Sequence, residues 1–129
     1  MKKQRVDPTS WQEKFGFAQG WRVDDPTSVL FLSGQVAVDD EGQIVGDTFE
    51  EQTRQTFRNM GRVLEQAGMG FENLVQVGWY LTDISQIRAC ARVRDEFINT
   101  AAPPASTAVG VPGLALPGLL VEVNAIAVA

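Results

Sequence analysis

The chain has 129 residues, 44% hydrophobic and 21% charged, which fits one globular domain able to bury about two-thirds of the surface its unfolded form exposes. It has no histidine and one cysteine, Cys90, which excludes Ser-His-Asp triads, the usual imidazole metal sites and internal disulfides. A net charge of −5 argues against nucleic acid as the main partner. No apolar run reaches the ~18 residues a bilayer requires, so no membrane is expected and the expected compartment is cytoplasmic.

Residues 1–14 are polar and carry turn formers, and read as an N-terminal arm within a single domain over residues 1–129. Ala18 to Val23 is a candidate first strand, and Asp24-Asp25-Pro26-Thr27 a turn, with Val29 to Ser33 returning as the second strand of a hairpin. Gln43 to Val45 is a short strand at most. Thr48 and Glu51 have the spacing of a helix capping box, and the helix should run to Ala67 and stop at Gly68, which suits the left-handed position past a C-terminus. Phe49, Thr53, Phe57, Met60, Leu64 and Ala67 recur at three- and four-residue intervals and predict its buried stripe.

Leu74 to Leu81 predicts a strand with Val75, Val77, Trp79 and Leu81 on one side and Gln76, Gly78 and Tyr80 on the other. Asp83 or Ser85 can cap a second helix ending near Thr100. Its stripe of Ile87, Cys90, Ala91, Arg94, Phe97 and Ile98 includes an arginine where an apolar residue is expected. Ala101-Ala102-Pro103-Pro104 stops that helix. Ser106 to Val111 and Leu119 to Val128 complete the set as strands. Interleaved strands and helices without an internal repeat imply an α+β fold, a mixed sheet with two helices on one face.

Three stretches carry more than periodicity: Phe31-Leu32-Ser33-Gly34-Gln35, Glu51-Gln52-Thr53-Arg54-Gln55, and Leu120-Val121-Glu122-Val123-Asn124-Ala125-Ile126-Ala127. Together they resemble the reactive intermediate deaminase (Rid, YjgF-type) family over roughly residues 15–129. The resemblance implies a chorismate mutase-like fold, a homotrimer with substrate clefts between subunits, and hydrolysis of imines and enamines without a cofactor. It also implies roles for particular residues. Glu122, alternating with Val121 and Val123 on its strand, is the proton-handling group; Ser33 and Gly34 hold the substrate; Phe17 stands at a cleft-wall tyrosine and lacks its hydroxyl.

The family's carboxylate-binding arginine lies in a Pro-Ala-Arg-Ser run, and this chain reads Pro104-Ala105-Ser106-Thr107. A serine cannot reproduce the two parallel charge-assisted hydrogen bonds of a guanidinium on a carboxylate. Ser106 and Thr107 can still donate neutral hydrogen bonds to a substrate. A family cysteine is Ala108 here, and a helix asparagine is Ala91. Arg22, on the first strand near Phe17, and Arg5, on the arm, are the candidate replacements.

Two classes of function follow. One is a cofactor-independent imine or enamine hydrolase, a deaminase not restricted to the archetypal 2-imino acids. The other is a trimer that binds a small molecule without turnover, as a ligand-binding or regulatory protein. A chorismate-type rearrangement on the same fold is a weaker third reading, since that chemistry wants cations around a dianion.

Overall fold

The computed structural model describes residues 1–129. Its elements are β1 (Lys2–Val6), β2 (Gly20–Asp24), β3 (Val29–Val36), α1 (Phe49–Gln66), β4 (Leu74–Leu81), α2 (Ile87–Arg94), β5 (Ala105–Gly110) and β6 (Val121–Val128), with short 3-10 turns at Glu13–Phe15, Phe71–Asn73 and Ile84–Gln86. A four-stranded sheet has the order β3-β6-β4-β5, and β1 and β2 form a separate two-stranded ribbon. The β4–β5 pair is parallel and the β3–β6 and β4–β6 pairs are antiparallel, so the main sheet is mixed.

The core lies between this sheet and the two helices. Strict alternation in β6 buries Val121, Val123, Ala125 and Ala127 on the helix side. Against them pack Phe57, Met60 and Leu64 of α1, Cys90 of α2, and Val77, Trp79 and Leu81 of β4. The α1 stripe therefore forms as its spacing predicts, except that Phe49 is half-buried and Ala67, at the C-cap, is exposed. Thr48 Oγ1 accepts from Glu51 N at 3.1 Å, while the Glu51 carboxylate accepts from Asp47 N rather than Thr48 N. The capping box is thus displaced by one residue on its return arm. Gly68 follows the helix at φ +72°.

Three sequence expectations differ from the structure. The predicted 18–23/29–33 hairpin does not form: β2 pairs with β1, and β3 pairs with β6. The turn is real, with Asp25 at φ +51°, but it carries the chain from the ribbon to the sheet. Leu30 and Leu32 find a longer apolar partner in β6 than the neighbouring segment offers. Residues 1–14 are more than an arm, because Lys2–Val6 is a strand and Gln12 is buried. That strand, Lys-Lys-Gln-Arg-Val, is held by backbone pairing, by Lys3 Nζ over the Trp21 ring and by the Trp21 indole donating to Pro103 O, so no apolar stripe announces it. Finally, α2 ends at Arg94 and continues as turns, although Ile98 remains in the core.

The other face of the sheet has no helix over it. Register places Tyr80 beside Glu122 and Gly78 beside Asn124 there, with Ile126 opposite Phe31. Phe31 is 76% exposed, and Val29 and Val109 are exposed as well.

Candidate functional site

A cavity of about 760 Å³ opens between the 3-10 turn Glu13–Phe15, α2 and the edge strand β5. It brings together Phe17, Ala91, Ser106 and Ala108, positions distant in sequence. Their convergence follows from topology. An isolated parallel bridge from Ala18 to Ala105 lays the Phe17 segment along β5, and Ala18 N donates to Pro104 O at 3.1 Å. In the β4–β5 register Ser106 lies beside Val77 and Ala108 beside Trp79, which turns both toward the helices.

Arg94 explains how the wall of this cavity is fixed. The arginine that interrupts the α2 stripe is buried, and its Nε and Nη2 donate to Asp95 Oδ1 at 3.0 and 2.9 Å while Nη1 donates to Phe15 O at 3.4 Å. Its guanidinium occupies the space a Cβ on Gly16 would need, and Gly16 itself is at φ +79°. Glycine is required there on both counts. Arg94 thereby pins the segment carrying Phe15 and Phe17 to α2. Its signal in the sequence was a charge at an apolar stripe position, which identified an irregularity but not a partner.

Glu122 lies on the opposite side of the sheet. It is half-buried, flanked in register by Tyr80 on β4 and Val36 on β3. The carboxylate rests directly over Gly34: a Cβ there would stand 2.6 Å from Glu122 Cδ and 2.7 Å from Oε2. Ser33 and Gly34 sit at a bulge in β3, between the pairs of Leu32 and Gln35, and both are exposed. Asn59 of α1 steadies the strand just beyond by donating to Val36 O and Val38 O, each at 2.9 Å. Glu122 takes part in none of the chain's ion pairs. A carboxylate with a free oxygen, beside a backbone stripped of side chain, can accept a proton from a water or a ligand.

The predicted site residues therefore divide in two. Phe17 and Ser106 share the cavity on the helix side, while Ser33, Gly34 and Glu122 are on the open side of the sheet, where Thr107 also faces because it lies beside Gly78. Ser106 and Thr107 are adjacent in sequence but on opposite faces, so one chain does not direct both at one ligand. Arg22 is paired with Asp24 through two 3.1 Å contacts and Arg5 is paired with Asp7, and neither lines the cavity. The arginines that do are Arg88, Arg92 and Arg94 of α2.

Comparison with known proteins identifies the family and the fold. A family model described as Endoribonuclease L-PSP matches residues 16–129. A RutC family protein of Aquifex aeolicus is 37% identical over 100 residues, covering 77% of this chain and 79% of the relative. A human relative named 2-iminobutanoate/2-iminopropanoate deaminase is 32% identical over 101 residues, covering 77% of this chain and 72% of its own. The crystal structure of YyfB from Yersinia pestis, a Rid-family protein of unknown function, superposes with a TM-score of 0.87 at 29% identity, covering 100% of both chains. On its sequence stretches, its two-helix mixed sheet and these matches, the chain belongs to the Rid (YjgF-type) family.

Proposed function

We propose that the protein hydrolyses imines or enamines at a cleft completed by a neighbouring copy of itself, within a homotrimer. The observation that carries this reading is the division of the site: Phe17 and Ser106 line one face of the sheet and Glu122 with Gly34 the other. A small molecule reaches both groups only when the open face of one subunit meets the cavity edge of the next. The exposed Phe31, Val29 and Val109 supply the apolar surface such a contact would bury. The name of the human relative supports the reaction class.

In this mechanism Glu122 orients a water and accepts its proton as oxygen attacks the imine carbon. The resulting carbinolamine collapses to a carbonyl compound when the nitrogen is protonated and leaves as ammonia. An enamine enters by prior protonation at carbon. The proton Glu122 takes from water is the one it returns to the nitrogen, so water and this one carboxylate balance the step. The test is ammonia release from freshly generated 2-iminopropanoate and 2-aminoacrylate, with Glu122→Gln beside the wild type and molar mass by light scattering for both. Release that disappears in a trimeric Glu122→Gln variant supports the reading; release unaffected by the substitution removes Glu122 from the mechanism.

The alternative, a trimer that binds a ligand without turnover, draws on the replacement of hydrogen-bonding and charged groups by Ala91, Ala108 and Ser106 in one cavity. Saturable binding without ammonia release from any imine distinguishes it.

A further inference from the structure

The cavity beside Ser106 is positively charged in a negatively charged protein. Lys14, Arg88, Arg92 and Arg94 line it against the carboxylates of Glu13 and Asp95, whereas the whole chain carries −5. Arg94 is committed to Asp95 and Phe15 O, and Lys14 Nζ lies over the Phe15 ring at 5.2 Å. Arg88 and Arg92 are different. Both are exposed, and neither enters any of the chain's five ion pairs.

They stand one helical turn apart on α2, at i and i+4, which sets their Cβ atoms roughly 5–6 Å from each other on one face. Two like charges at that spacing repel, and an anion held between them reverses the sign of the interaction. Ala91 lies between them in sequence and lines the same cavity, with Ser106 as a neutral donor and Phe17 and Trp79 as apolar wall.

We infer that Arg88 and Arg92 form a clamp for a dianionic group, and that the ligand is a small molecule carrying a dicarboxylate or a phosphate monoester. Two guanidinium forks match two carboxylates, or the oxygens of one phosphate, through paired hydrogen bonds. The positive charge that the family resemblance places on the strand at Ser106 stands instead on the helical wall, which moves the bound anion away from β5 and toward α2. As to substrate, this rests on the imine-hydrolase reading, whose dicarboxylate members are imines such as 2-iminoglutarate; as to anion binding, it does not.

The test is an isothermal titration of the full-length protein with glutarate, inorganic phosphate and uncharged glutaramide, for the wild type, the Arg88→Ala/Arg92→Ala double variant and Arg22→Ala as a surface-charge control. Saturable binding of glutarate or phosphate is expected, weakened at least tenfold in the double variant and unchanged in Arg22→Ala; which anion binds identifies the group. Equal binding of glutaramide, equal binding by the double variant, or no anion binding at millimolar concentration overturns the clamp. Both arginines are exposed, so the double variant should melt with the wild type. If it does not, Arg88→Gln/Arg92→Gln, which keeps the aliphatic stems, replaces it under the same criteria. Glu122→Gln should bind glutarate normally. Binding intact with no ammonia released from 2-iminoglutarate, 2-iminopropanoate or 2-aminoacrylate removes the hydrolase reading alone, and release from 2-iminoglutarate independent of both arginines removes the clamp alone.

Discussion

Replacing Gly34 with alanine separates the site from the fold. The new Cβ would lie 2.6–2.8 Å from Cδ, Oε2 and Cγ of Glu122, inside contact distance for all three. These atoms belong to the movable part of the side chain, so Glu122 can turn away, at a rotamer cost of about 0.5–1.5 kcal/mol. Gly34 is not at positive φ. Alanine there should instead recover about 0.4–1 kcal/mol by restricting the unfolded chain. The two effects nearly cancel, and the melting temperature should stay within about 4 °C of wild type, since 1 kcal/mol corresponds to roughly that shift in a chain of this size.

If Glu122 handles the proton as proposed, displacing its carboxylate should by contrast remove about 10²–10⁴ in rate, the usual contribution of a positioned acid–base group. That is about 3–5 kcal/mol of transition-state stabilisation. The assay is ammonia release under saturating imine, alongside thermal melting by circular dichroism. A Gly34→Ala variant within threefold of wild-type rate would show that the carboxylate need not rest over Gly34, and would refute the assignment. A melting temperature more than 10 °C lower would refute the argument that only the movable end of Glu122 is displaced.

Gln52 is buried, with Nε2 donating to Gly46 O at 3.1 Å and Gly118 O at 2.9 Å and Oε1 accepting from Leu120 N at 2.8 Å. Gln52→Ala leaves these groups unpaired and should cost about 3 kcal/mol, a fall of about 10 °C in melting temperature. Gly16→Ala meets both the left-handed backbone and the Arg94 guanidinium, and should destabilise by about 2 kcal/mol in urea unfolding. If it costs nothing, Arg94 does not pin the Phe17 segment. Cys90 is fully buried and burial pushes its thiol above the usual value. The fold favours the neutral thiol, so this stabilisation is complete below about pH 8.5 and declines as the pH rises through the higher folded value. Native protein should therefore resist alkylation at pH 8 and react promptly in denaturant. Fast native alkylation would contradict the burial.

Much of the fold was legible because its signals are local. The α1 stripe from Thr53 to Leu64 and the alternation of β6 are sequence periodicities that burial then follows. The Thr48 cap is equally local, since its oxygen and the Glu51 amide are three residues apart. The strand Lys2–Val6 was hidden because backbone pairing requires no apolar pattern, and the partner of β3 was misread because a turn does not reveal whether the next strand stays or leaves. Glu122, Gly34, Phe17 and Ser106 could be named as candidates from family resemblance, yet nothing in their spacing told that they occupy two faces.

Sequence alone thus determined the α1 stripe, the buried side of β6 and the absence of imidazole chemistry, all properties of residue type and short-range spacing. Tertiary structure decided which strands pair, where the arginines stand and that the site is divided. Those depend on the register and crossing of segments far apart in the chain: Ser106 rather than Thr107 faces the helices because it falls beside Val77 in the β4–β5 register, and Arg88 and Arg92 reach the Ser106 cavity because α2 packs at that edge of the sheet.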